Sequence, residues 1–283
     1  MRGRHGFGVA SSMGPADPVH HEFPIAARDA ENWRAATSPF RGFILIMTLP
    51  QLTSQVCLTP RTLRDAFRLR HQSYLGKDYI EAHPEGLFFD EFDAMPGSVT
   101  FAVFAGAEIA GSIRACIHWP AIGWDEIPAA RKYPEEFGAW AVNRPVIIEY
   151  SRLAVSPHFT AAAWSVELAL FGTLPFLASH VPLAGCVCAV RAHHVPFYRR
   201  LGYERISGFV KDPRLNFEST LMAMDWLEQE ERLRTHRVFS QCFAVQPELE
   251  ALDPHSRLMF SRRFGHLKAA NPAVSSDSIS FSK

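Results

Sequence analysis

The run PVIIEYSRLAVSP, residues 145–157, constrains this chain more than any other stretch. Its β-branched and aliphatic residues read as a buried strand, yet Glu149 and Arg152 stand in its middle. A charge in a core is costly unless it is paired, so the fold has to bring partners to both. Other charges near or inside apolar segments are candidates. Arg70 sits on a basic helix, Asp90 and Asp93 lie in FFDEFDAM, and Arg114 lies in a hairpin strand. Together these acids and bases can satisfy one another in a single cluster. Strict two-residue alternation would point Glu149 and Arg152 to opposite faces. They share one cluster only if the strand bulges near Tyr150 to Leu153.

The rest of the pattern supplies the frame. RTLRDAFRLRHQSYL, after a Thr59-Pro60 start signal, predicts an amphipathic basic helix. SVTFAVFAGAEIAGSIRACIHW predicts a hairpin, and a Pro- and Trp-containing irregular segment leads into the strand at 145–157. A helix over AAAWSVELALFGTLPFL, a strand at GCVCAV, a short helix in HHVPFYRRLGY ended by Gly202, and strands at ERISGFV and ESTLMAMDW follow. The result is one mixed α/β domain over residues 41–226. Residues 1–40, rich in Gly, Pro, Ser and His, read as a flexible extension. FILIM at 43–47 reads either as an edge strand or as the approach to an internal start at Met47. A helical C-terminal extension covers 227–270, and a Ser-rich tail at 271–283 is expected to be disordered.

Charge narrows the function. Lys and Arg equal Asp and Glu at 29 each, which argues against wholesale binding to nucleic acid. The long apolar run from Trp164 to Val190 is interrupted by Glu167, Pro175, His180 and Pro182, so a core helix followed by a strand explains it better than a membrane span. Cys57, Cys116, Cys186, Cys188 and Cys242 lack zinc-site spacing and read as reduced thiols of a cytoplasmic protein, with no metal expected.

FRLRHQSYL, FDEFD, GSIRA and IEYSRLAV, in this order and at similar intervals over about Arg61 to Gly208, resemble the signature of the acyl-homoserine lactone synthases and the related N-acyl amino acid synthases. Both belong to the GNAT acyltransferase superfamily. The resemblance implies a GNAT-like, mainly antiparallel sheet flanked by helices. It matches Arg70 with Tyr74, Asp90 with Asp93, Arg114, and a Glu-x-x-Arg at Glu149 and Arg152, and it implies substrate-binding roles for Arg70, Tyr74, Asp90, Arg114 and Arg152. Two departures stand out. GKDYI lacks the Trp that the lactone synthases carry there, and SPHFTAAAWS replaces the Gly-rich loop that cradles the coenzyme A pyrophosphate. The first points to an amino acid acceptor, the second to an acyl carrier protein as donor beside acyl-coenzyme A.

The implied reaction is a direct acyl transfer with no permanently bound cofactor. Glu149 is the first candidate for the base that deprotonates the amine, and Asp93 the second. Tyr198, in FYRRLGY, matches the family tyrosine that protonates the departing thiolate. Backbone N–H groups around Leu153, Ala154 and Val155 would hold the oxyanion where the strand splays from its neighbour. An acidic carrier protein could land on Arg61, Arg64 and Arg68 or on Arg191, Arg199, Arg200 and Arg205. An apolar tunnel for the acyl chain is expected from WSVELALFGTLPFL with Phe101 and Phe104. Lactone synthesis, small-molecule acetylation from acetyl-coenzyme A, and an inactive ligand-sensing module are the alternatives. An inactive module would have no need for Glu149 to face an open cleft.

Overall fold

The structure is a computed structural model that describes residues 51–244 and 247. The expectations for 1–40, for FILIM and for 271–283 lie outside the described residues, as does the second half of 227–270. An eight-stranded sheet has the order β1-β2-β3-β4-β5-β8-β6, with β7 paired to β8. The strands are β1 (Leu52–Val56), β2 (Ser98–Ala105), β3 (Glu108–His118), β4 (Ile147–Val155), β5 (Gly185–Val190), β6 (Glu204–Arg205), β7 (Val210–Lys211) and β8 (Glu218–Asp225). All pairings are antiparallel except β4 with β5.

Local chemistry explains the elements nearest the centre. Helix α1 (Pro60–Leu75) begins where Thr59 accepts the Thr62 N–H, with Pro60 in the first turn, where a missing N–H costs nothing. Ala66, Leu69, Arg70 and Ser73, at helical spacing, form its buried face. Leu69 is 2% exposed, and burying a side chain of that size contributes about 2 kcal/mol. The β2–β3 hairpin turns at Gly106, whose φ of 63° suits glycine at the head of a two-residue turn. Helix α4 (Ala163–Phe171) crosses β3 at Gly111, where a Cβ would stand 2.5 Å from Val166, so only glycine permits that approach.

The sheet separates two apolar layers. One face holds Phe101, Ile113, Ile148, Cys186, Cys188 and Met222 against α4 and α5 (Thr173–Ala178). The other holds Cys116, Ile147, Val187 and Leu221 against Phe92, Tyr133 and Phe137. The stretch Pro157–Ala178 has the length and hydropathy of a membrane span, but half of its apolar window is buried, and Val166, Ala169 and Leu170 of α4 lie in the core. This is the core helix expected from its interruptions.

The Pro- and Trp-containing segment is not irregular throughout. It contains α2 (Pro128–Lys132) and α3 (Pro134–Ala141), each with a proline in its first turn, where the missing N–H costs no helix bond. ERISGFV is not one strand but β6 and β7, two residues each. Strand β1 was not anticipated, because LTSQV offers little apolar pattern at an edge. After β8 the chain forms α7 (Trp226–Thr235) and α8 (Gln241–Ala244), and α6 (Val195–Arg200) precedes Gly202.

Candidate active site

A bulge brings Glu149 and Arg152 to one face of β4. β4 pairs with β3 through Ser151↔Arg114 and Ala154↔Ser112, so Arg152 and Leu153 together stand across from Ile113. Arg152 takes a φ of 57°, strained for a residue with a side chain, and this turns it to the face that Glu149 and Ser151 already share with Arg114 and Cys116.

On that face five charged side chains interlock. Arg70 and Arg114 are fully buried. Arg70 donates to Asp93 at 2.7 Å and to the Thr100 hydroxyl at 3.0 Å. Arg114 donates to Asp93 at 2.9 Å, to Asp90 in a very short contact, and through Nε to Ser151 at 3.1 Å. Arg152 donates to Asp90 at 2.6 Å and stacks over Phe88, 4.8 Å from the ring centre. FDEFD is spaced for this. Asp90 caps the 3-10 turn Glu91–Ala94 and accepts the Phe92 N–H at 3.0 Å, while Asp93 reaches back to the Asp90 N–H at 3.0 Å. Burial alone would raise the Asp90 carboxyl, but Arg114 and Arg152 hold it well below the carboxylate range. Asp93 engages both oxygens with Arg70, Arg114 and the Asp90 backbone. That arrangement suits a brace better than a proton acceptor. Arg70 Nε and Arg114 Nη2 remain buried without a hydrogen-bond partner.

Glu149 lies on the same face but outside this ion-pair network. It is 1% exposed and accepts the Ala129 N–H in the first turn of α2 at 2.6 Å. Burial pushes its carboxyl up to about 7, against the Ala129 bond and the pull of Arg114 and Arg152. It therefore changes charge near neutral pH, as a base must, but it does not face an open cleft.

The sheet opens immediately beyond it. β4 and β5 pair only at Ile147↔Gly185, Ile148↔Cys186 and Glu149↔Val187, although both strands continue. Leu153, Ala154 and Val155 thus keep β3 on one side and have no paired strand on the other among the described residues. Tyr74 reaches this opening and donates to the Leu153 carbonyl at 3.3 Å. Tyr198 packs edge-on to Tyr203 at 5.4 Å, and burial keeps its phenol protonated, well above the usual range.

On the sheet face opposite the charge cluster lies an apolar pocket lined by Tyr150, Phe171, Leu174, Tyr198, Met224 and Phe243, among others; Met224 pairs with Cys186, at the level where β4 and β5 are still joined. Phe101 is fully buried against Phe176, and Phe104 packs with Leu63 near α1, so neither lines the pocket. The C-terminal α8 contributes Cys242 and Phe243 to the pocket. Cys116, Cys186 and Cys188 are buried in the two layers, and burial raises each thiol, Cys116 to about 11. Among the described residues no His, Cys, Asp and Glu group could hold a metal. Arg61, Arg64, Arg68, Arg199, Arg200 and Arg205 are exposed, while Arg191 is half-buried.

Sequence reasoning missed Thr100 and Ser151, uncharged residues that carry no signal beyond standing opposite or beside the arginines. It also missed the Ala129 N–H, a backbone group no side-chain motif reports.

A family model described as N-acyl amino acid synthase FeeM matches residues 65–225. Among solved structures, FeeM, an N-acyl amino acid synthase from uncultured soil microbes, superposes with a TM-score of 0.54 at 19% identity, covering 64% of this chain and 94% of its own. The acyl-homoserine lactone synthase LasI gives a TM-score of 0.48 at 14% identity, covering 62% and 90%. ElaA from Escherichia coli gives 0.43 at 15% identity, covering 62% and 99%. No curated protein matches by sequence.

Proposed function

The chain belongs to the N-acyl amino acid synthase FeeM family and is a GNAT-like acyltransferase; on that premise we propose that it moves a fatty acyl group from a thioester to the amine of an amino acid. The observation that carries this reading is the opening of β4 from β5 directly after Glu149. The sheet around it carries an apolar pocket on one face, reached by Tyr150 of β4, and a braced charge cluster on the other. An acyl chain fits the first surface and a polar acceptor the second.

In this mechanism the thioester carbonyl lies along β4 at Leu153 to Val155, where N–H groups turned from β3 can meet the oxyanion. The neutral amine attacks the carbonyl carbon. As the tetrahedral intermediate collapses, the C–S bond breaks, and Tyr198 protonates the departing thiolate. The proton lost by the amine passes to Glu149. With about 3.3 Å per strand residue and one residue lost to the bulge, Glu149 stands about 10 Å along β4 from Leu153, so that proton travels through a relay. Arg70, Arg114, Asp90 and Asp93 brace the bulge that carries Arg152, and Tyr74 fixes the Leu153 carbonyl. No covalent enzyme intermediate is needed, in keeping with buried thiols whose ionisation is suppressed.

Both acyl carrier protein and acyl-coenzyme A remain donors in this proposal. The exposed arginines of α1 and of the segment 199–205 offer an acidic carrier protein its landing site, and the buried free thiols suit a cytoplasmic location. The test is to supply purified protein with long-chain acyl carrier protein, acyl-coenzyme A and the twenty amino acids, and to seek amide products by mass spectrometry. Absence of any amide from either donor, with folded protein, refutes the proposal.

A further inference from the structure

Arg191 follows the last residue of β5 and has no role in the scheme above. Its guanidinium carbon lies 4.4 Å from the Tyr79 ring centre and 5.3 Å from that of Phe217. The two rings meet edge to face at 5.1 Å. This clasp joins the loop after α1 to the loop before β8, and two hydrogen bonds fasten it. Asn216 N–H donates to the Tyr79 carbonyl at 2.8 Å, and its side-chain amide donates to the Asp78 carbonyl at 3.2 Å. A planar guanidinium held by aromatic rings keeps its N–H edge in a fixed direction.

That edge is unfilled. Arg191 Nη1 is buried with no hydrogen-bond partner, and among the described residues no carboxylate pairs with this arginine. The charged group beside it is a cation, Lys77, while burial and Arg191 itself hold the neighbouring His193 and His194 below the usual imidazole range, so both are neutral near pH 7. A half-buried arginine with an unpaired, buried N–H group and a lysine beside it calls for an anion.

Its level in the fold says which anion. Continuing the parallel register from Glu149↔Val187 past the one-residue bulge at Arg152, Arg191 stands across the opening from Ala154, within the stretch Leu153 to Val155 proposed above for the thioester carbonyl. Tyr74 bridges the gap. It donates to the Leu153 carbonyl and lies 5.9 Å from the Tyr79 ring of the clasp. A ligand that meets Arg191 with an anion while its nucleophile reaches the neighbouring strand joins the two in one small molecule. An α-amino acid does so, with its carboxylate one carbon from its amine.

We propose that Arg191, clasped by Tyr79 and Phe217, receives the carboxylate of the acyl acceptor and turns its amine towards the thioester at Leu153 to Val155. The acceptor is then a free α-amino acid, and an amine lacking the carboxylate is rejected. This rests on the acyltransfer reading, and it adds the residue that selects the acceptor.

The test compares the amino acid that wild type acylates best with its carboxamide and its decarboxylated amine, using one fixed donor. Wild type should prefer the acid by kcat/KM. In Arg191→Met that preference should fall roughly 10- to 100-fold, through KM for the acid, the range of one charge-assisted hydrogen bond. Arg191→Lys keeps the charge without the planar fork and should fall between, and it carries the test if Arg191→Met does not fold. Equal use of acid and carboxamide by wild type would overturn the proposal. So would an unchanged acceptor KM in the folded variants, or a raised KM for the donor instead, which would mark Arg191 as a phosphate contact. If no amide forms, calorimetric titration with the twenty amino acids separates the two ideas. Binding that wild type shows and Arg191→Met loses keeps the carboxylate site and discards the transfer, whereas no binding discards both.

Discussion

Replacing Glu149 by glutamine separates burial from chemistry. The amide carbonyl still accepts the Ala129 N–H, but the group can no longer ionise. In the folded protein burial lifts the Glu149 carboxyl from its ordinary 4.5 to about 7. Below pH 4.5 the folded and unfolded chains both hold this proton. Between 4.5 and 7 the folded chain holds it and the unfolded chain does not, so stability falls as pH rises through that window. At about 1.4 kcal/mol per pH unit the full loss is about 3 kcal/mol, reached above pH 7. Glu149→Gln escapes that loss. Urea unfolding of both proteins at pH 5, 6, 7 and 8.5 should therefore show the variant gaining on wild type by about 3 kcal/mol across the range, with other titrating groups cancelling. The kinetic signature is opposite in sign. Wild-type kcat should climb with pH through about 7 as Glu149 ionises, whereas the variant should be slower by roughly 100-fold or more, without that climb. A stability difference independent of pH would refute the buried, proton-holding Glu149. A variant that keeps wild-type kcat and its pH profile would refute its role as base.

Asp90→Ala removes the shared partner of Arg114 and Arg152 and should lower stability by about 3–5 kcal/mol, read as a reduced urea midpoint. Tyr198→Phe should lower kcat roughly 100-fold while leaving KM for the acceptor in place, and the deficit should shrink with a thioester whose thiolate is a better leaving group. Phe243→Ala enlarges the apolar pocket at α8 and should move the product distribution towards longer acyl chains when mixed donors compete, measured by mass spectrometry.

The centre of the molecule was legible in the sequence because charges in an apolar strand leave few solutions. Glu149 and Arg152 demanded partners, and the spacing in FDEFD and GSIRA supplied them. Alternation then required the bulge found at Arg152. Helices α1 and α4 and the hairpin followed from caps, periodicity and Gly106. What escaped was decided by tertiary context. LTSQV becomes a strand only because β2 offers it an edge. Pro128 and Pro134 open helices where proline alone reads as an interruption. Glu149 was placed in the charge cluster, yet it turns to a backbone N–H of α2, an element the sequence did not announce. The clasp around Arg191 joins residues 79, 191 and 217, far apart in the chain, through ring faces that no spacing rule encodes.

The most direct measurement follows one nitrogen. Folded protein is incubated with a single long-chain acyl thioester and a mixture of amino acids labelled with nitrogen-15, and products are resolved by mass spectrometry alongside titration of free thiol. The expected result is an amide that carries the labelled nitrogen, formed in step with one released thiol per acyl group. Thiol release with only free fatty acid, or an intact thioester after many protein equivalents of time and donor, would contradict acyl transfer to an amino acid.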